Sequence, residues 1–417
     1  MRKKRCLAAL LAAGTILLLA GCASLYEADY YYSQEYTGGL TVDEVGGMEI
    51  RNMSMMKAAL ITLIGSGQEH GQLKLSGYTG SPQDDLARVC YEIKNDNPIG
   101  AYAVSDITVN TNRIVSYYVA EIEISYKKSI EEIQSVVNVA TVADFGERVQ
   151  EAVRSGRDKI VLKIYSSSVD AAYIRELVRD CCWEDPLRPA AEPEVSVTAY
   201  PEEGANRIFE IGLDFPASAA RLEAMAEETA AAVQSACEAL TVTEPDGPLA
   251  LELVKYLSGL CTVEEEMALG DTAYAALTAG SADSKAVALA FKALCNQLDL
   301  ECRVVSGSLG TMAEKEHYWN IIRLEDAYYH VDASRFAEDP AGSFLVSDER
   351  LWGRYIWAAE DYPACTGELD YFAFGEPPQT EEQEETSQEP DPGNSQTPPP
   401  EETPPQETPG EAEKNEK

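Results

Sequence analysis

Histidine is scarce in this chain: His70, His317 and His330 are the only three in 417 residues. No Cys-x-x-C pair occurs among the ten cysteines. Together these absences argue against a zinc site of familiar ligand spacing, and no metal or cofactor is expected. Basic residues are also few, 33 Lys and Arg against 71 Asp and Glu, for a net charge of −38. Neutralising phosphates requires clustered Lys and Arg, so nucleic acid is excluded as a partner. The same charge disfavours docking onto an anionic lipid surface. The apolar run Leu7–Ala20 is shorter than the ~20 residues a bilayer span needs.

That short run has another use. It follows the basic patch Met1-Arg2-Lys3-Lys4-Arg5 and ends in Leu19-Ala20-Gly21-Cys22. The arrangement suits a signal peptide, and Leu-Ala-Gly-Cys resembles the bacterial lipobox. The resemblance implies cleavage after residue 21 and lipidation of Cys22, leaving the protein anchored by lipid on the extracytoplasmic side of the cell membrane. Acyl chains contribute ~0.8 kcal/mol per buried methylene, so the lipid alone would hold it there. Cys6 leaves with the signal. Of the eight cysteines remaining, several sit in apolar helical stretches, as small core residues rather than disulfide partners.

The other end differs in kind. Residues 376–417 hold ten of the 21 prolines and thirteen acids against two lysines. Such a segment cannot bury enough surface to offset its ordering entropy, and the expectation from 375 onward is a disordered acidic tail. A Tyr-rich linker and lead-in, 22–67, joins the lipid site to the folded region.

From 68 to 244 the sequence repeats itself. The first copy runs Gln72-Leu73-Lys74-Leu75, Tyr78, a helical pattern from Pro82 to Ile93, and a stop at Asn97-Pro98. The second runs Lys159 to Ile164, Tyr165, a helical pattern from Asp170 to Cys182, and a stop at Asp185-Pro186. Each continues into two alternating runs that read as a hairpin, Tyr102–Val109 with Val115–Tyr126 and Val195–Tyr200 with Ile208–Phe215. A helix then opens at Ser129 or Ser218. Tyr78 and Tyr165 are 87 apart, Pro98 and Pro186 are 88, and Glu121 and Glu210 are 89. The near-constant offset predicts a duplicated β-α-β-β-α unit, 68–157 and 158–244. Neither copy holds a catalytic constellation, so this half reads as scaffold or recognition surface.

The segment 245–374 carries the remaining chemistry. It contains His317-Tyr318-Trp319-Asn320, a turn at Leu324-Glu325-Asp326, and Tyr328-Tyr329-His330-Val331-Asp332. The lead-in Asp271-Thr272-Ala273-Tyr274-Ala275-Ala276-Leu277, the stretch from Ala290-Phe291 to Ser306-Gly307, and Tyr362-Pro363-Ala364-Cys365 follow the same order and spacing. This segment resembles the transglutaminase-like family, whose fold is related to that of papain. The resemblance implies an α+β fold with a nucleophile at a helix start, His317 as base and Asp332 as its orienting carboxylate. A helix N-terminus lowers a thiol pKa, and an imidazole in reach takes its proton. His330, two residues from Asp332, shares its strand face and reads as a structural neighbour.

The departure is at the nucleophile. The family's cysteine falls on Ser284, and the Gly-Tyr-Ala that follows it is replaced by Ala286-Val287-Ala288. Cys295 lies eleven residues further along the helix, about 16 Å away. Three readings stay open: Ser284 as a mere helix-start residue near the capping candidates Ser281 and Asp283, Ser284 as the nucleophile of a Ser-His-Asp triad, or a thiol such as Cys261 in its place. A hydroxyl is a weak nucleophile unless its base and oxyanion donors are tuned for it. The expectation is therefore an α+β, lipid-anchored envelope protein with a degenerate, non-catalytic transglutaminase-like domain that binds or scaffolds peptide, protein or cell-wall ligands. The alternative is a serine-dependent peptidase or amide acyltransferase of the same fold.

Overall fold

The computed structural model describes residues 47–241, 246–263 and 269–375. The signal segment, Cys22, most of the lead-in and the acidic tail lie outside them. Among the described residues no helix is long and apolar enough to cross a membrane.

The first repeat opens with β1 (Met48–Ile50), α1 (Met53–Gly65), β2 (His70–Ser76) and α2 (Pro82–Asp96). It continues with α3 (Pro98–Ala103), β3 (Val104–Ile114), β4 (Tyr117–Tyr126) and the one-turn α4 (Ile130–Gln134). The second comprises β5 (Val137–Asn138), α5 (Val142–Arg154), β6 (Lys159–Tyr165), α6 (Ala171–Glu184), β7 (Glu194–Tyr200), β8 (Asn206–Asp214) and α7 (Ala219–Ala239). The two sheets have the orders β1-β2-β4-β3 and β5-β6-β8-β7, each with one parallel pair at the same end. Equivalent strand orders make the duplication a property of topology as well as of sequence.

The repeated unit is nonetheless larger than its sequence pattern suggests. A parallel strand and a helix precede the predicted β-α-β-β core, so each unit reads β-α-β-α-β-β. Strands of three and two residues leave no periodicity to detect. The copies also differ at the stop after their second helix. Asn97 accepts the amides of Ile99 at 3.1 Å and Gly100 at 3.4 Å, restarting a helix that runs through Tyr102, where a strand start was expected. That helix needs Gly100, because a Cβ there would lie 2.0 Å from the Ile93 carbonyl oxygen.

The repeats meet through Tyr102 and Tyr200, edge to face with centroids 5.4 Å apart. Glu210 gathers Lys128 at 2.8 Å and also Lys159, which reaches Glu132 at 3.2 Å. Ile208 and Val161 of the second copy belong to the buried core of the first.

The C-terminal region begins with α8 (Asp246–Leu260) and the small parallel pair β9 (Thr262–Val263) and β10 (Ser281–Ala282). After α9 (Ser284–Gln297) come β11 (Cys302–Leu309), β12 (Met312–Leu324), β13 (Ala327–Val331), β14 (Phe344–Val346) and β15 (Tyr355–Ile356). Their sheet has the order β14-β13-β12-β11-β15 and is antiparallel throughout. The expected turn closes β12 onto β13, with Leu324 opposite Ala327 and Glu325 at φ 54°. Every residue of α9 from Ala286 to Cys295 is buried, so this helix is enclosed rather than amphipathic. One continuous core joins it to the second repeat, uniting Phe145, Phe209 and Val233 with Leu253, Phe291 and Val331. A smaller cluster, including Val305, Trp319, Ile321 and Tyr355, packs separately.

Phe145 is fully buried and meets Phe209 edge to face at 5.8 Å. Phe145→Ala should cost about 3–5 kcal/mol, through lost burial and the cavity left behind. Because the core is shared, urea unfolding should show the second repeat and the C-terminal region melting together at a lower midpoint. Separate transitions would show that the shared core does not couple them.

Candidate active site

Asp283 caps α9, accepting the Ala286 amide at 2.9 Å, while its own amide donates to the Gly270 carbonyl at 3.0 Å. Ser284 is thus the first helical residue, at the positive end of the dipole. Its neighbour Lys285 is tied to Glu192 of the second repeat at 2.8 Å and to Asp271 at 3.4 Å. Burial pushes the Lys285 pKa down, but these two carboxylates outweigh it and the net shift is upward. Lys285 is therefore a fixed cation beside position 284 and cannot act as its base.

His317 lies on β12 opposite Gly307 of β11. A Cβ on Gly307 would stand 2.2 Å from the Ile356 oxygen and 2.7 Å from the Trp319 ring, so this approach of strands requires glycine. The His317 Nε2 is 2.7 Å from Asp332 Oδ2. Asp332 also accepts the Tyr355 hydroxyl at 2.7 Å on Oδ2, and on Oδ1 the Ser334 hydroxyl at 2.6 Å and amide at 3.1 Å. Burial raises its pKa, yet these donors outweigh burial and hold the carboxyl below its ordinary value. An ionised carboxylate only accepts, so His317 Nε2 carries the proton of this bond.

The third position breaks the pattern. The Ser284 hydroxyl accepts the backbone amide of Tyr318 at 3.2 Å, and among the described residues it makes no hydrogen bond to His317. The structure brings Ser284, His317 and Asp332 to one corner of the helix–sheet junction, but couples only the last two. Burial, then the charge of Asp283, raises the Cys261 pKa, and the wholly buried Cys295 is raised further. All eight described cysteines are free.

His330 belongs to a second, parallel relay. The Trp319 Nε1–H donates to its Nδ1 at 3.0 Å, and its Nε2 faces Asp348 Oδ1 at 2.8 Å. Asp348 Oδ2 accepts the Cys365 amide at 2.9 Å. His330, Asp348 and Cys365 are also the one described trio close enough to hold a metal. Their hydrogen bonds disfavour it: Trp319 can only donate, so Nδ1 accepts and Nε2 holds the proton that Asp348 receives. A metal on Nε2 would displace that proton, and burial with the Asp348 charge keeps the Cys365 thiol protonated.

The transglutaminase-like superfamily profile matches residues 238–333, which include Ser284, His317 and Asp332. The chain carries a transglutaminase-like domain. Two solved structures are similar to it. One is described as a TGase, with 14% identity and a TM-score of 0.25, covering 54% of this chain and 66% of that one. The other is a candidate cysteine protease from Cytophaga hutchinsonii, with 10% identity and a TM-score of 0.23, covering 34% of this chain and 62% of that one. The chain thus spans less than two thirds of either. No curated protein matches it.

Several site residues escape sequence reasoning. Ser334, two positions after Asp332, follows a local side-chain-to-backbone pattern that could have been read. Tyr355 is 23 residues away and Glu192 belongs to another repeat, and nothing local marks either.

Burial, opposed by Asp348, lowers the His330 pKa below 6.5. Both His330 and Asp332 are depressed on folding, so each contributes stability that is present above its unfolded pKa and lost as pH falls. The His330 share should fade below about pH 6.5 and the Asp332 share below about pH 4. A ring-proton NMR titration should place the His330 midpoint under 6.5; a higher midpoint would mean that Asp348 outweighs burial.

Proposed function

We propose that this protein is a lipid-anchored component of the cell envelope whose transglutaminase-like domain binds peptide or cell-wall ligands without turning them over. The observation that carries this reading is the Ser284 hydroxyl, which accepts the Tyr318 amide and donates nothing to His317. A serine nucleophile must pass its proton to the base as it attacks, so a hydroxyl uncoupled from the imidazole lacks the first step of acyl transfer. The loss of the neighbouring glycine and tyrosine agrees with relaxed demand on catalysis. What remains is a rigid corner held by buried ionic hydrogen bonds, suited to presenting a groove.

A second reading rests on a specific observation of its own. The His317–Asp332 pair is 2.7 Å long and keeps its supporting donors, the geometry in which a carboxylate orients a histidine base. In that reading Ser284 is the nucleophile of a peptidase or amide acyltransferase, with Asp332 stabilising the imidazolium.

Serine-directed and thiol-directed acylating probes separate the two on folded protein, read by intact mass beside Ser284→Ala. Binding-only function predicts no site-specific adduct with either probe. A serine adduct that disappears in Ser284→Ala would transfer the case to the hydrolase reading.

Anchoring is tested by detergent phase partition. The wild-type chain, with acyl mass on its mature N-terminal Cys22, should enter the detergent-rich phase and a variant without residues 1–22 the aqueous one, since its strongly acidic balance gives no other hold on an anionic membrane. Retention of the variant in detergent would remove the lipid from the account.

A further inference from the structure

A groove of about 1000 Å³ lies between α6 of the second repeat and the β11 edge of the transglutaminase-like domain. Trp183 and Arg179 form one wall, Tyr362 and Asp361 the other, and Cys302, Val304 and Ser306 line it along β11. On that edge β15 pairs only with Ser308 and Leu309, which leaves residues 302–306 without a neighbouring strand.

The direction of the exposed main-chain groups follows from the ladder. The Arg323 amide donates to the Glu301 carbonyl, so odd-numbered residues from 301 exchange their bonds with β12 and even-numbered ones face the groove. Two side chains stand where a partner strand would. The Lys292 ammonium donates to the outward Cys302 carbonyl at 2.8 Å, and the Tyr362 hydroxyl accepts the outward Ser306 amide at 3.3 Å. Between them the Val304 amide and carbonyl also face outward. The open edge is five extended residues, about 17 Å long.

We propose that this groove takes an extended peptide of a partner, which adds to β11 as an extra strand in line with β15 and places a carboxylate against Lys292. Resting on the binding reading above, this assigns that reading a site and a ligand class. Only an extended main chain offers donors and acceptors at the two-residue spacing of Cys302, Val304 and Ser306. The carboxylate is asked for by Lys292, which is 4% exposed and uses two of its three N–H donors, one on Cys302 and one on Glu184 at 3.2 Å. Glu184 is itself 76% exposed, so its place beside the ammonium is open to exchange with a ligand carboxylate. Trp183 continues the groove toward Ser284: its ring meets Tyr318 edge to face at 5.9 Å, and the Tyr318 amide is the one bound to the Ser284 hydroxyl.

The test uses the full chain and one probe, acetyl-Thr-Val-Thr-Val-Thr-Val-Glu with a free C-terminus, titrated by calorimetry. Saturable binding is expected, weakened at least tenfold when alternate probe amides are N-methylated. Val304→Pro should weaken it similarly, and proline is tolerated there because the lost N–H faces away from β12. Lys292→Met should weaken the acid probe more than its C-terminal amide and Gln analogue. Hydrogen exchange of the β11 segment should slow only when the probe is present. No saturable binding, or equal binding by Val304→Pro and by the N-methylated probe, would overturn the proposal. So would full protection of β11 without probe, which would mean that the chain's own residues fill the edge. Serine labelling with groove binding intact would sink the non-catalytic reading alone, whereas absent binding and absent labelling would sink this one alone.

Discussion

A carboxylate buried to 3% exposure is costly unless every lone pair is met, and Asp332 meets that demand with four donors. Those donors come from β12, from the loop after β13 and from β15, so the charge fixes three parts of the sheet at once. Its own amide donates to Ser343 at 2.7 Å, adding the segment before β14. The arrangement orders the His317 ring and holds its Nε2 against the carboxylate. The arrangement does not depend on the residue at position 284.

Ser284 illustrates the reverse dependence. Its place at the start of α9 is set by Asp283, by the enclosure of the helix and by Lys285 pinned to the second repeat. None of these needs a reactive side chain at 284. The position is therefore held by packing, and its hydroxyl takes the nearest backbone amide. A triad with two members fixed by one network and the third by another can lose its coupling without losing its shape.

The second repeat has a dual role. It shares a core with the transglutaminase-like domain, and it supplies Trp183, Arg179 and Glu192 to the surface around α9 and β11. The first repeat, of equivalent strand order, meets the second through Tyr102 and Tyr200, and its core takes in Val161 and Ile208 of that copy. Duplication thus yields two similar units whose environments differ, the second forming a wall of the groove.

Much was legible in the sequence because it was local. Hydrophobic alternation marks β2, β6 and the hairpins. Asn97-Pro98 marks the end of α2, and the run through His317 and Asp332 marks two strands joined by a tight turn. The acidic balance is a matter of composition alone. Short strands such as β1 and β5 left no pattern, and α3 hid behind a proline that both ends and restarts a helix. What only the tertiary structure decided are the pairings between distant segments: Tyr355 on Asp332, Glu192 on Lys285, Tyr318 rather than His317 on Ser284, and the stretch of β11 left open. Each is a directional contact between side chains or backbone groups remote in sequence. Periodicity and spacing determine which face a residue occupies, but the partner it meets depends on how whole elements pack.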